Sequence, residues 1–516
     1  MKNKIIVLCI VMSFLITACN SSPENEDVNQ IRLNTTLKPT TENQADMVNT
    51  SFGEIKDKSL SEEEIALYKE LFDINSTISI KIDISDTELG KIQQDYQKYD
   101  KNGAKSPIYR IADKVTITIN GKDHVIEEVG VRMKGNTSRR SFYDKGNDKI
   151  YNMVNLKLSF EETFDDKDYY GNDAKVWSDN SKKEEREKRT FASLNALEVK
   201  WNICKDETYV REYYVHEMFR ENGVLAARCN IASLDLGRTH MGVFKIYEPI
   251  DKKFLKKYLD EEYLGGDLYK CMWTNNGCDY TLMNSIGIEE KETGARYNFN
   301  LKTNKKTSDN ENLKYLLYVL DSGNKDEATF ESVVDKNYWI NFAAVSYFAA
   351  DPDDMRNNFN NHYVYFLGGT NKAIFIPYDN DRVIGAIEGF NPTGDGLVNV
   401  SPYSQYAQGA KNMQSNNLFN WTVARGGLYV EEYRDKLLEI CNGKWLTTEN
   451  YEPYYNMAKS HYASLVNPDS KMDNVDNDEL AFTDSLDSGK KNIAISEFFK
   501  SIKNTCTTKI DDYVEK

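Results

Sequence analysis

The chain is short of histidine, proline and positive charge. Only 5 His and 10 Pro occur in 516 residues, and 65 Lys and Arg face 81 Asp and Glu. The net charge of -16 argues against nucleic acid or anionic lipid as the main partner, because both need a basic footprint. The histidines are scattered and no CxxC pair occurs, which argues against a zinc site. After the first twenty positions there is no apolar run of about 20 residues, so nothing there is built to span a bilayer. No internal repeat is present.

What is present begins at the N-terminus. Lys2 and Lys4 precede an almost wholly apolar stretch, Ile5 to Ile16, which has the size of a signal-peptide core. Ile16-Thr17-Ala18-Cys19 then resembles the bacterial lipoprotein cleavage box, where the Cys is acylated and becomes the new N-terminus. The rival is an ordinary secretory signal with an incidental Cys. Acyl chains contribute ~0.8 kcal/mol per buried CH₂, so several chains on Cys19 would anchor the protein firmly. Residues 1–18 read as a signal peptide. Residues 19–58, polar and poor in aromatics, read as a disordered tether. The expected location is the extracytoplasmic face of a cell membrane. With Cys9 lost and Cys19 acylated, six of the 8 cysteines remain. An even number in an exported chain permits disulfides. Cys271 and Cys278 are close enough to close a small loop, but the connectivity stays open.

About 500 residues exceed what one hydrophobic core normally organises, so two lobes are expected. Ile78, Ile80, Ile82 and Ile84 alternate with polar residues and predict a half-buried strand. Val115 to Ile119 and His124 to Arg132 predict a hairpin around Asn120-Gly121, and Met153 to Phe160 predicts a fourth strand. A helix follows, with Asp206 as its cap and Gly223 as its stop. Val210, Tyr213, Tyr214, Glu217 and Met218 fall on one face at helical spacing, so Glu217 on that inward face needs a partner. Asn230 to Glu248 reads as strand. From Asp251 the chain reads as helical (Lys253 to Tyr258, Tyr338 to Ala349, Tyr433 to Cys441), apart from a hairpin at Tyr363 to Phe366 and Ala373 to Pro377. Asp469 to Lys490 reads as a mobile acidic loop.

Three stretches carry candidate chemistry. Ile376-Pro-Tyr-Asp379-Asn-Asp381-Arg382 places two carboxylates on a turn just past a strand, which suits a hard cation such as Mg²⁺. Asp353-Asp354 and the Asn-rich run to Asn361 precede the same hairpin. Gly130-Val-Arg132-Met-Lys134-Gly135-Asn136 is a strand running into a glycine-containing turn, a backbone that can approach phosphates. Lys157 lies between Leu156 and Leu158 on the next strand, where the inward Glu217 could pair with it. The plain alternative is that the Asp residues cap turns and Lys157 faces solvent.

Taken in order, four segments resemble the spore-coat protein H (CotH) family of secreted, atypical kinase-like proteins. They are Gly130 to Ser138; Lys205 to Arg211 with Phe219 to Gly223; Gly242 to Glu248 with Asp251, Phe254 and Gly266 to Lys270; and Asn361 to Tyr365 with Ile376 to Asp381. A weaker match lies at Asn417-Leu-Phe419 and the helix from Tyr433. The resemblance spans about Ile78 to Cys441.

The resemblance implies an α+β, two-lobed atypical protein-kinase-like fold. Its N-lobe, rich in antiparallel strands, would take residues 59–250, and its mainly helical C-lobe residues 251–516. ATP and Mg²⁺ (or Mn²⁺) would bind between them. Asp354, or else Asp353, would take the catalytic acid position. Lys157 would hold the phosphates, with Glu217 as its partner. Arg132, Lys134 and Asn136 would form the phosphate-side loop, and Asp379, Asp381 and Asn361 would hold metal. Tyr378 stands where the family usually has Trp, and the charged stretch Glu161 to Arg189 blurs the alignment of Lys157. The expected activity is transfer of the ATP γ-phosphate to Ser or Thr of a surface or secreted protein. The alternatives are a non-catalytic coat scaffold or adhesion protein on the same fold and, further off, a glycan hydrolase with paired carboxylates.

The anchor is directly testable. Cys19→Ala should move the full-length protein from the detergent to the aqueous phase in Triton X-114 partitioning and abolish palmitate labelling. Unchanged partitioning would overturn the lipoprotein reading.

Overall fold

Alternating apolar and polar residues build the first half. β1 (Ile78–Asp83) buries Ile78, Ile80 and Ile82 and exposes the residues between. β2 (Arg110–Ile119) and β3 (Lys122–Met133) form the expected hairpin, with Asn120 and Gly121 at φ 51° and 79° as a tight two-residue turn requires. β4 (Leu156–Ser159), β5 (Ala196–Trp201), β6 (Cys229–Leu236) and β7 (Thr239–Tyr247) complete a closed barrel in the order β1-β2-β3-β4-β5-β7-β6. The closure is a parallel pairing of β1 with β6, and closure leaves no strand edge unpaired.

The computed structural model describes residues 52, 54–135, 138–142, 152–274, 277–290, 293–406, 416–469 and 477–514. The stretch read as a signal peptide, Cys19, most of the stretch read as a tether and Asn136 lie outside the described residues. Gln44–Lys516 forms one compact unit. Its chain is already packed at Phe52, whose ring meets Tyr338 at 6.0 Å, and at Lys56, whose N–H donates to Lys257 O at 2.7 Å. Ordered chain therefore begins ahead of Ser61, which caps the first helix.

The second half is not a helical body with one hairpin. β8 (Leu268–Cys271), β9 (Ile286–Gly287), β10 (Phe299–Leu301), β11 (His362–Phe366) and β12 (Ala373–Pro377) make a five-stranded sheet in the order β12-β11-β8-β10-β9. Strands of two to four residues are too short to show a period, so β8, β9 and β10 were invisible to patterning. Gly266 allows the sheet to form, since a Cβ there would stand 1.7 Å from Phe366 O. The principal helices are α1 (Arg211–Glu221), α2 (Lys336–Ala349), α3 (Val430–Asn442), α4 (Thr448–Tyr462) and α5 (Ile495–Lys509). Phe219 of α1 packs on Phe342 of α2 with ring centroids 5.6 Å apart. Tyr462 of α4 fastens the barrel closure: its hydroxyl accepts from Ile78 N at 2.8 Å and donates to Ile231 O at 3.0 Å. The architecture is α+β.

Two local readings change. Asp206 does not cap α1, because the N-cap position is Val210. Asp206 instead accepts from Arg211 N and Nε, each at 3.1 Å, and Arg211 Nη2 reaches Ile493 O at 2.9 Å. The described part of the acidic loop, 469 and 477–490, contains a short helix (Asn477–Leu480) and the buried Thr483. The six cysteines from Cys204 to Cys506 are buried free thiols. Cys278 donates to Asn298 O at 3.0 Å, with Cys271 in contact beside it. Among the described residues no helix is long and apolar enough to cross a membrane.

Leu158 is fully buried in the barrel core, whereas Val176 is 88% exposed. Leu158→Ala should cost about 2–5 kcal/mol of unfolding free energy in urea titration, and Val176→Ala less than about 0.5 kcal/mol. Equal effects would contradict the barrel assignment.

Candidate active site between the barrel and the second sheet

Strand alternation places the polar residues of the barrel wall. Val131, Met133, Leu156, Leu158, Leu197, Val199, Phe244 and Ile246 are buried in the core. The residues between them therefore point outward. Register lines them up in two rows. Arg132 pairs with Lys157, Lys157 with Glu198, and Glu198 with Tyr247. One step along, Lys134 N–H donates to Asn155 O, and Lys200 lies directly opposite Lys245. Like charges facing each other across strands are unfavourable unless each finds an acid. Both do. Lys245 reaches Glu212 of α1 at 3.4 Å, and Lys200 is ion-paired with Asp379.

The second sheet faces this wall across a cavity of about 700 Å³. Tyr363 of β11 and Lys270 of β8 are register partners. Three ammonium groups surround the Tyr378 ring, with Lys270 at 3.9 Å, Lys200 at 5.1 Å and Lys134 at 5.3 Å from its centroid. Lys134 also donates to the Tyr378 hydroxyl at 2.9 Å and is ion-paired with Glu198. Nine Lys and Arg side chains line the cavity against six Asp and Glu. A positive cavity inside a chain of net charge -16 suits an anionic ligand.

Carboxylates gather at one end. Asp379 follows β12 with φ 58°, and Asn361 precedes β11 with φ 48°. Left-handed backbone costs of order 1 kcal/mol for a residue with a side chain and collects at functional sites. Tyr378 N–H donates to Asn361 O at 3.1 Å, which ties the two turns together. Asp353 faces the cavity and accepts from Asn361 Nδ2 at 3.1 Å and Asn360 Nδ2 at 3.4 Å. Asp354 turns away, accepting from Asn357 N at 2.7 Å and Asn357 Nδ2 at 3.2 Å. Between the two, geometry favours Asp353 for contact with a ligand. Asp351, fully buried, accepts from Asn380 Nδ2 at 3.2 Å and braces the loop from behind.

The charges tune one another. Burial pushes Asp379 upward, but Lys200 and then Lys134 outweigh it and hold its carboxyl well below the usual range. Burial likewise opposes the charge on Lys200, yet Asp379, Glu212 and Glu198 keep it above its ordinary value. Burial and then the neighbouring Asp379 raise Asp381 to about 6. Burial raises Asp353, against the Asn358 and Asn360 hydrogen bonds. Lys134 falls to about 7 through burial and the crowding of Lys200 and Lys270, even though Glu198 favours its charge. Lys302 falls to about 7 through burial and then Lys270.

Several sequence-predicted residues meet here and two do not. Arg132, Lys134, Lys157, Asn361, Asp379 and Asp381 all line the cavity. The expected Lys157–Glu217 pair does not form. Lys157 approaches Glu198 at 3.8 Å, while Glu217 is held by Arg220 at 3.2 Å and Arg228 at 3.7 Å. Glu212, one turn earlier on α1, is the buried acid and takes the strand lysine. Nearly the whole circumference of α1 is buried, so its apolar spacing could not tell Glu212 from Glu217. Lys200 was missed although Glu198 and Lys200 alternate with Leu197 and Val199. That signal was present in the sequence, but nothing in it pointed to Asp379.

No three His, Cys, Asp or Glu side chains among the described residues are grouped to hold a metal alone. The donors that do border the cavity fit a divalent cation in a different way. Asp381 has one ion pair among the described residues, with Arg382 at 3.9 Å, and Asn358 Oδ1, in the cavity lining, is buried without a partner among the described residues. Mg²⁺ takes one or two carboxylates and fills its remaining positions with water and substrate phosphates.

The depressed lysines predict a pH dependence. An unfolded lysine keeps its proton to about pH 10.4, whereas folded Lys302 releases it at about 7. Between these values the unfolded state binds more protons, so stability rises with pH. Chemical denaturation should show a gain of roughly 1–2 kcal/mol from pH 7 to 9 that Lys302→Met reduces. An identical pH profile in the variant would contradict the crowding.

The family described as CotH kinase protein matches residues 131–509, from within β3 to the last residue of α5. No curated protein matches the chain. The match reaches further toward the C-terminus than the resemblance in sequence suggested, and it leaves β1 and β2 outside, although both are needed to close the barrel. Since most of the chain, including every residue of the carboxylate end and the lysine wall, lies within the match, this kinase-like protein belongs to the CotH kinase family.

Proposed function

We propose that this protein is a lipid-anchored, extracytoplasmic atypical protein kinase that transfers the ATP γ-phosphate to Ser or Thr of a surface or secreted protein. In this reading the barrel half is the N-lobe and the second sheet with its helices is the C-lobe. The observation that carries it is the placement of Asp379, in left-handed backbone at a hairpin end, beside Asp353 and Asn361 and against Lys200 and Lys134. A metal carboxylate, an amide, a second acid and phosphate-neutralising lysines are the parts that phosphoryl transfer needs.

Asp379, with Asn361 and Asp381, would hold Mg²⁺, which neutralises phosphate charge when bound. Lys200 and Lys134 bind and orient the phosphates. Lys245 and Glu212 keep Lys200 in place by filling the position opposite it. Asp353, fixed by its asparagine hydrogen bonds, orients the acceptor hydroxyl and receives its proton. Positioning and fixed charge supply most of the rate. A non-catalytic surface scaffold is the second reading. One observation favours it: Lys200 already neutralises Asp379, so a metal must displace that contact.

Incubation of the purified protein with γ-labelled ATP, Mg²⁺ or Mn²⁺ and surface protein decides between them. Transfer should be lost in Asp379→Ala. Asp353→Asn should lower kcat about 10²–10⁴-fold with little change in the KM for ATP, while Asp354→Asn should act mainly on stability. Transfer that survives Asp379→Ala would overturn the assignment, and absence of any nucleotide-dependent thermal shift in the wild type would favour the scaffold.

A further inference from the structure

The cavity has a second charged end that the proposed transfer does not use. Lys105, from the loop before β2, Lys270 of β8 and Lys302, just past β10, converge around a single carboxylate, Glu289. Glu289 stands 3.7 Å from Lys105 and 3.9 Å from Lys302, both longer than a hydrogen bond. Its own oxygen is taken by Asn300 Nδ2 at 3.1 Å. Lys270 has no carboxylate within ion-pair distance among the described residues and rests only on the faces of Tyr378 and Tyr363. None of the three ammonium groups donates a hydrogen bond to an acceptor among the described residues.

Three half-buried cations to one acid, short of acceptors among the described residues, is an arrangement that an anion would complete. The carboxylate end differs, because each of its lysines already has a close acid. The charges that act on Lys302 are Lys270, Glu289, Lys105 and Lys305, whereas Lys270, standing between the two ends, also feels Asp379 and Glu198. Arg139 and Arg296 add further positive charge behind Lys105.

We propose that Lys105, Lys270 and Lys302 form an oxyanion subsite for a phosphate or carboxylate group on the phosphoacceptor, so that the acceptor is an anionic molecule. This assignment rests on the reading that the metal-bound triphosphate occupies the Asp379 end. Three ammonium groups, each with three N–H donors, suit a multiply charged oxyanion better than a neutral sugar.

Calorimetric titration of the full-length protein with pyrophosphate, and separately with citrate, tests it. Each titration is run with the protein free and with the protein saturated by Mg²⁺ and a non-hydrolysable ATP analogue. At least one oxyanion should bind the nucleotide-loaded protein, and Lys105→Ala together with Lys302→Ala should weaken it at least tenfold while changing nucleotide affinity less than twofold. Asp379→Ala should leave oxyanion binding within twofold and abolish that of the nucleotide. The pyrophosphate and citrate arms tell phosphate from carboxylate recognition. Binding of neither to the nucleotide-loaded protein, or an equal loss of oxyanion and nucleotide binding in the lysine variants, would overturn the subsite. A protein that binds no nucleotide would sink the kinase reading alone, since oxyanion binding to the free protein, sensitive to the lysines and not to Asp379→Ala, still decides this proposal.

Discussion

Lys200 and Asp379 meet across the cavity, and the arrangement of the site follows from that contact. Lys200 comes from a barrel strand whose neighbouring residues are committed to the core. Asp379 comes from the end of a hairpin in another sheet, in a backbone conformation that most side chains avoid. Lys200 is buried and Asp379 half-buried, and each is stabilised by the other, so removing Asp379 would leave the Lys200 ammonium in the barrel wall without its acid. Around this pair the other charges have assigned places. Lys245 is supplied by Glu212, Lys134 by Glu198, and Tyr378 offers its ring to the three ammonium groups that ring it.

The cavity is polarised as a result. Carboxylates and asparagines occupy one end, and lysines with a single glutamate occupy the other. This polarity comes from two sheets that are separate in the chain, one presenting rows of alternating residues and the other presenting short strands and turns. Fold alone does not fix activity. What connects fold to chemistry here is that both sheets contribute charged and aromatic side chains to the same cavity, in a chain whose net charge is -16.

Much of the first half was legible because it obeys a short period. The isoleucine alternation of β1 and the Asn120-Gly121 turn are local signals, and each strand or turn forms where its own residues ask for it. The hairpin of β11 and β12, the carboxylates behind it and Arg132 and Lys134 were legible for the same reason. Strands β8, β9 and β10 were not, being shorter than any period. The partner of Lys157 was not legible either. It depends on which residue lies opposite on β5, and that register is set by barrel closure rather than by anything near Lys157. A choice between Asp353 and Asp354 likewise depended on which carboxylate the Asn-rich loop spends on its own turn.

The sequence by itself determined the strand-rich first half, an acidic turn after a hairpin and membership in a kinase-like family, and it carries the export and acylation signal as an expectation. These rest on residues adjacent in the chain, whose spacing is preserved whatever the fold does. Only the tertiary structure decided which ions meet: Lys200 with Asp379, Lys245 with Glu212, Lys157 with Glu198, and three lysines with Glu289. Ion pairs between residues more than a hundred positions apart, as Lys200 and Asp379 are, form only once both sheets have closed. Their energy depends on distance and burial, and no local pattern encodes either.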